Sequence, residues 1–504
     1  MTAARPALLR LTAALVAGTG MILTFAPFGA WWLQPPLLAV LFSLWRTATP
    51  GRAAATGFVF GMGWFCGGVS WVYISMHDVG GMPVLIAAAA TLLFAMVLSG
   101  YTALAGWLQA RLSHAASAPW LHTLLVLPAA LTLCEWLRGW VFTGFPWIAP
   151  GYAHTDGPLA GFAPLAGVHG LTFVAVLAAS LLAHAVSHAI DRKPLVGATL
   201  RPLAGLAALL ACGVGLTPVE WTQTAGKPLD VILLQGNIPQ EMKFAAGRFE
   251  STLDTYVRLA EPQQASLIVL PETALPRMLH TIPRAALERL DTLASQRGAT
   301  LITGVPRAES STRYFNSAIT LGRETGQRYD KSHLVPFGEF IPYGFRWFVD
   351  LMNMPLGDFT SGGVRQTPLR IGDQRIAINI CYEDLFGEEI IRQLPEATLL
   401  LNLSNVGWFG DSLAPHQHLQ ASRMRALETG RPMLRATNTG ATAVIDARGQ
   451  VTHALPFFAE GALAATVQGR SGATPYMLTG NWLVIALCVL VLAGAAWNPQ
   501  RRAA

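Results

Sequence analysis

The sequence predicts a multi-span α-helical membrane domain of about eight helices joined to one large α/β domain. Three observations predict it. Only 13% of the 504 residues are charged and 52% are hydrophobic, whereas ordinary soluble domains are roughly 25% charged. Long apolar runs crowd residues 1–217 and recur once near the end of the chain, most of them approaching the roughly 20 residues that cross a bilayer. Between them the character changes: charges are frequent, turns are regular, and short apolar runs alternate with helical patterns, the signature of a layered α/β domain.

The apolar segments run, in order, over 11–28, 33–45 (short), 53–76, 82–110, 121–140, 159–189, 202–217 and 480–497. Arg5 and Arg10 precede the first, which could therefore pass for a signal peptide. No small-residue cleavage site follows it and further spans do, so it reads as a retained anchor. Basic residues set the expected topology. Arg46 and Arg52, then Arg111, then Arg192, Lys193 and Arg201, and finally Arg501 and Arg502 occupy alternate connections and the C-terminus. The remaining short connections carry almost none, Arg138 being the exception. The excess of Lys and Arg on cytoplasmic loops puts both termini in the cytoplasm and the large domain on the opposite face, the periplasm of a bacterium with the chain in its inner membrane. The expected domains are 1–217 with seven spans, 218–475, and 476–504 with the last span.

Within the spans, Glu135 and Arg138 sit three apart and can pair on one helix face. The outer-face connections hold Gly144-Phe145-Pro146-Trp147, His154-Thr155-Asp156, Phe25-Ala26-Pro27-Phe28 and Trp31-Trp32. Their aromatics form either an interfacial belt or the lining of a lipid entrance, for which Trp147 is the candidate.

In the large domain, strands are expected at Val231–Leu234, Leu267–Leu270, Thr300–Val305, Ser317–Leu321, Arg375–Ile380 and Thr398–Leu403. Helices are expected at Arg248–Ala260, Arg284–Arg297 and Pro415–Glu428. About 240 residues can bury one substantial core.

The chemistry is organised around RIAINICYEDLF at 375–386. Ile376, Ala377, Ile378 and Ile380 read as a strand buried on both faces, and Cys381 closes it against Tyr382, Glu383 and Asp384. A thiol held at the junction of a buried strand and a polar turn suits a nucleophile, although free cysteines are often simply buried. The other four cysteines, Cys66, Cys134, Cys212 and Cys488, fall in candidate spans, so a structural disulfide at Cys381 is not expected. Leu267–Glu272 is an apolar strand ending in a carboxylate, fit for a general base or for an ordinary cap or salt bridge. Lys331 precedes a Pro/Gly turn that runs to Glu339. Beside a thiolate a lysine lowers the thiol pKa and stabilises charge developing on a carbonyl oxygen; elsewhere it is surface.

The net charge of +6 is no nucleic-acid signal, because the arginines are spread over membrane loops. HExxH, CxxC and Walker signatures are absent. His416 and His418, two apart on a helix, do not face one site, so neither a metal nor a cofactor is expected.

Glu, Lys and Cys in this order, within LPETALP, YDKSHLVPFGEFIP and ICYEDLF, make the soluble region similar to the carbon–nitrogen hydrolase (nitrilase) superfamily. FAPFG, FPW, TDGPLAGFAPLAG, QGNIPQ, SNVGWFG and RATNTG extend the likeness over essentially the whole chain, which resembles the bacterial apolipoprotein N-acyltransferase family. The resemblance implies an αββα sandwich with Cys381 as nucleophile, Glu272 as base and Lys331 as oxyanion stabiliser, and supporting roles for Glu339, Tyr382 and Glu383. It also implies a two-step transfer. The thiolate takes the sn-1 acyl chain of a phospholipid, commonly phosphatidylethanolamine, as a thioester. The free α-amino group of an apolipoprotein's S-diacylglyceryl-cysteine then takes it as an amide, giving triacylated lipoprotein. A monomer is expected, since one chain supplies all three groups.

Just after the lysine motif, YGFRWFVDLMNMPLGDF at 343–359 gathers Phe345, Trp347 and Phe348 with other apolar residues. It reads either as core or as an arm whose apolar face meets lipid. Two other classes of function fit parts of the pattern. A membrane-tethered amidase of the nitrilase type would share the Glu–Lys–Cys set but has no need of so many spans. A non-enzymatic scaffold or transporter would use Glu135 and Arg138 but leaves that set unexplained.

Overall fold

The computed structural model describes residues 4–113, 119–191, 199–243, 245, 247–341, 344, 346 and 358–497. The chain divides into two units. The first comprises Met1–Tyr73, Pro83–Val219 and Leu478–Ala504, the second Ile74–Met82 and Glu220–Met477.

The first unit is helical. Each of the eight apolar segments contains a helix: Ala4–Gly20, Gln34–Trp45, Pro50–Gly68, Val84–Ser113, Leu127–Arg138, Ala163–Ile190, Leu200–Leu216 and Trp482–Ala496. Among the described residues three stretches are long and apolar enough to cross a membrane, Pro6–Thr24, Val84–Leu112 and Ala160–Ile190. A fourth is counted if Pro50–Gly68 and Trp71–Val79, bent by 51° at their break, make one span. Leu200–Leu216 and Trp482–Ala496 are apolar but short. Within the expected span 53–76 the helix is therefore interrupted. The chain breaks near Gly68, and Ile74–Met82 belongs with the second unit, where the Ser75 hydroxyl donates to the Trp408 carbonyl at 2.8 Å.

Small residues let these helices approach closely, as apolar surroundings favour. A Cβ on Gly61 would lie 2.8 Å from Ser99 Cα. Glu135 and Arg138 do pair, at 2.5 Å and fully buried. Arg138 also donates to the Phe145 carbonyl and to the Trp147 carbonyl at 3.0 Å. Trp147 is only 1% exposed, its ring 4.7 Å from that of Trp71, so it is a packing residue of this unit rather than an open lining.

The second unit is a two-sheet sandwich. Its strands in chain order are β1 (Thr222–Thr224), β2 (Leu229–Gln235), β3 (Leu267–Val269), β4 (Thr300–Ala308), β5 (Tyr314–Gly322), β6 (Arg328–Asp330), β7 (Leu369–Ile371), β8 (Gln374–Ile380), β9 (Leu399–Ser404), β10 (Met433–Thr437), β11 (Ala443–Ile445), β12 (Val451–Ala454), β13 (Gly461–Val467) and β14 (Arg470–Gly472). One six-stranded sheet has the order β13-β2-β3-β4-β5-β6 and the other β12-β11-β10-β9-β8-β7, while β1 and β14 form a small pair. The central strands β2, β3 and β4 run parallel, as do β8, β9 and β10.

Strand side chains alternate faces, and this alternation builds three apolar layers. Val231, Leu233, Val269 and Ile302 meet Ile376, Ile378, Leu401, Leu403 and Leu434 between the sheets. The opposite faces of β2 and β3, through Ile232, Leu234 and Ile268, take helices Phe249–Ala260 and Arg284–Ser295. The outer face of the second sheet, through Ala377, Leu400 and Met433, takes Ala426 of helix Ala414–Thr429. The result is α, β, β, α. All six expected strands and three expected helices are present within three residues of their predicted bounds. The other strands were not anticipated; in β10 (MLRAT) and β13 (GALAATV), for instance, an arginine mid-strand and a run of small residues give no apolar alternation.

Candidate active site

The three candidate groups all stand just beyond strand ends. Glu272 follows β3, Lys331 follows β6 and Cys381 follows β8. Parallel central strands bring such ends to one edge of a sheet, which is where open α/β sheets place their sites.

Cys381 opens a short 3-10 turn, Cys381–Leu385, and its φ is +54°. A non-glycine residue in the left-handed region is strained, and such strain collects at functional sites. Its carbonyl is held by the Asn402 side-chain amide at 3.1 Å. The half-buried thiol has its pKa pushed up to about 12 by burial first and by Glu272 second, while Lys331 and then Ser404 pull it down. The resting group is therefore a thiol.

Glu272 is held at both carboxylate oxygens. One carboxylate oxygen accepts from the Asn316 amide at 2.7 Å, and the other from the Asn405 main-chain N–H at 2.9 Å. The turn that carries it packs against β4. A Cβ on Gly304 would lie 2.7 Å from Glu272 Cα and 2.5 Å from Thr273 N, so only glycine fits there.

Lys331 is 1% exposed. Its ammonium lies 2.8 Å from Glu339 and 3.6 Å from Glu272. Burial works against its charge, but the Glu339 and Glu272 carboxylates outweigh burial and hold its pKa above the ordinary lysine value. Glu339 is fixed in turn by the Val335 N–H at 2.9 Å and by Asn316 at 2.9 Å.

Glu383 faces the scaffold. One oxygen accepts from Ser332 N at 2.7 Å and His333 N at 3.0 Å, just after the lysine. The other accepts from Ile380 N at 2.6 Å, just before the cysteine. The Tyr329 hydroxyl adds a bond at 3.0 Å. Burial pushes its pKa up to about 7 against the His333 N–H and the other donors. Glu383 thus staples the lysine loop to the cysteine turn. Tyr382 is buried, with its ring edge-on to Phe386 at 5.1 Å. Phe345, Trp347 and Phe348 lie outside the described residues.

An apolipoprotein N-acyltransferase of Ralstonia nicotianae is 48% identical to this chain over 507 residues, covering 98% of this chain and 95% of that one. The chain belongs to the apolipoprotein N-acyltransferase family. The relative from Nitrosomonas europaea is 45% identical, with 98% of this chain and 99% of that one covered. Residues 17–181 match the apolipoprotein N-acyltransferase N-terminal domain, and residues 233–476 match the carbon–nitrogen hydrolase family. Among solved structures, a nitrilase-superfamily amidase from Nesterenkonia is 19% identical, covering 50% of this chain and 95% of that one, with a TM-score of 0.38. Membership of the acyltransferase family rests on the sequence matches.

Several residues around the site were not singled out from sequence. Asn316 bridges Glu272 and Glu339 from the middle of β5. Lys243, 3% exposed, donates to the Glu272 main-chain carbonyl at 3.0 Å, and burial brings its pKa down to about 8 despite Glu272 and Cys381. Behind the cysteine turn, Asp384 takes His418 Nε2 at 2.6 Å and Arg435 at 2.7 Å. Arg435 also donates to His418 Nδ1 at 2.9 Å, so His418 serves this buried network. Among the described residues no group of three or more His, Cys, Asp or Glu could hold a metal. The one detectable signal was a polar residue inside an apolar strand run, as Asn316 is in YFNSAIT.

Proposed function

We propose that this chain transfers an acyl group from a phospholipid to the α-amino group of an apolipoprotein's N-terminal S-diacylglyceryl-cysteine, through a thioester on Cys381. The observation that carries the reading is the grouping of a strained, protonated cysteine with Glu272 and Lys331 in a member of this family. In the first half-reaction Glu272 takes the Cys381 thiol proton as sulfur attacks the sn-1 ester carbon. Lys331 stabilises the oxyanion, and the proton passes to the departing lysophospholipid oxygen. In the second, the amine attacks the thioester, Glu272 takes its proton, and the thiolate leaves and is reprotonated. The net change is one ester broken and one amide made, and no cofactor or metal is needed.

Glu339 is the counter-ion that keeps Lys331 charged, and Glu383 and Tyr382 shape the cysteine turn. Phosphatidylethanolamine is the proposed donor, and the protein is proposed to act as a monomer. Residues 1–217 and 476–504 would cross the inner membrane eight times in all, with both termini cytoplasmic and the 218–475 catalytic domain periplasmic. The alternation of basic connections supports this topology. Phe345, Trp347 and Phe348 are proposed to meet lipid at the site's approach.

Intact-mass spectrometry after incubation with phosphatidylethanolamine vesicles tests the reading. A hydroxylamine-labile gain of one acyl chain is expected, and Cys381→Ala should lack it. No adduct on folded native protein would overturn it and return the question to an amidase.

A further inference from the structure

We propose that the Ser404 hydroxyl is a catalytic hydrogen-bond donor to the Cys381 sulfur, formed as the thiol becomes a thiolate. The inference deepens the acyl-transfer reading and rests on it for the identity of the reaction, though not for the chemistry of the thiol.

Strands β8 and β9 run parallel with Ile380 paired to Leu403. The residues that follow, Cys381 and Ser404, therefore end neighbouring strands side by side. The Ser404 backbone is fixed on its other side, where it pairs with Thr437 of β10 and its carbonyl accepts the Asn438 N–H at 3.2 Å. The residue is fully buried, yet its Oγ has no hydrogen-bond partner among the described residues. A buried hydroxyl left unpaired costs stability, and an exception of this kind calls for a functional account.

The sulfur supplies one. A thiol is a weak acceptor, so at rest the hydroxyl gains little from the sulfur it stands beside. Once Glu272 has taken the proton, the thiolate accepts strongly. The hydroxyl already stands close enough to favour that charged form, second only to Lys331 among the groups that do, and against burial, Glu272 and Glu339. Lys331 is itself committed to Glu339 at 2.8 Å, so its charge is shared. An interaction made only as the reaction proceeds is the kind that accelerates it. Ser404 keeps its own proton throughout.

The test uses full-length protein in phosphatidylethanolamine vesicles. Iodoacetamide labelling is read on the Cys381 peptide by mass spectrometry across about pH 7 to 11, below the raised pKa of this thiol, where the labelling rate follows the thiolate fraction. In Ser404→Ala labelling at each pH should slow about tenfold, the effect of a one-unit rise in thiol pKa, and acylation should slow by a similar factor. The melting temperature should hold or rise, because an unpaired buried group has gone. Ser404→Thr, which keeps the hydroxyl, should return the native profile. A Ser404→Ala profile that superposes on the native one would overturn the proposal. A loss in Ser404→Ala accompanied by a large fall in Tm would also overturn it, marking the residue as structural. If native protein is alkylated normally but takes no acyl chain, the acyl-transfer reading fails while the labelling profile still decides the role of Ser404.

Discussion

Lys331 Nζ lies 2.8 Å from Glu339 Oε2, nearer than its 3.6 Å approach to Glu272. Glu339 is therefore the lysine's principal counter-ion, and Glu272 is left with an oxygen that Lys331 does not claim. Glu339→Gln removes that charge and lets Lys331 settle onto Glu272, which blunts the base. Thioester formation should fall about 100-fold, the low end of what a positioned base contributes. Single-turnover acylation measured by quenched-flow mass spectrometry checks it.

Glu383 uses both oxygens, toward Ser332 and His333 on one side and Ile380 on the other. Glutamine cannot serve both sides, because one of its termini is a donor. Glu383→Gln should cost about 1–3 kcal/mol, as an unpaired buried donor does, and should loosen Cys381. Chemical denaturation together with the acylation rate reads both effects.

Lys243 has its pKa brought down by burial to about 8, below an unfolded value near 10.5. The unfolded chain therefore binds more protons between these values, and native stability rises with pH across them. The cost of the buried charge is fully present below about pH 8. Lys243→Met removes that cost and also removes the bond to the Glu272 carbonyl. The Tm of Lys243→Met relative to native should therefore fall as pH is raised from about 8 to 10.5. A difference that stays flat over that range would contradict the assignment.

Gly304 has no space for a methyl group, since its Cβ would meet Glu272 Cα and Thr273 N. Gly304→Ala must push the turn that carries Glu272. Overpacking of this kind costs about 1–3 kcal/mol, and the displaced carboxylate should slow acylation more than it lowers Tm. Parallel melting and acylation measurements separate the two.

In the helical unit, Glu135 and Arg138 are buried as a pair. Glu135→Ala leaves Arg138 with the carbonyls of Phe145 and Trp147 and the face of the Phe65 ring. Losing one partner of a buried pair costs about 3–5 kcal/mol, whereas replacing both by apolar residues is often neutral. A Glu135→Leu/Arg138→Met protein in detergent should therefore melt closer to native than Glu135→Ala does.

Much of the candidate site was legible because its signals are local. Cys381 and Glu272 each terminate an apolar strand run, and Lys331 and Glu339 flank a Pro/Gly turn, so strand-end positions could be read from the order of residues alone. The apolar runs likewise foretold the long apolar helices of the first unit among the described residues. They could not foretell the 51° break after Gly68 or the burial of Trp147. Both depend on which neighbours the helices find.

The sequence by itself determined the α/β character of the second unit, the strand ends that bear Glu272 and Cys381, the turn that follows Lys331, and the family to which the chain belongs. Only the tertiary structure decided what surrounds them. Asn316 reaches two carboxylates from strand β5, Lys243 holds the Glu272 turn from 29 residues away, and Ser404 meets Cys381 through the parallel register of β8 and β9. Periodicity reports which face of a strand is buried, but it carries no information about which strand lies alongside. That pairing is set by packing the two sheets over one core, and it alone brings these distant polar groups to one site.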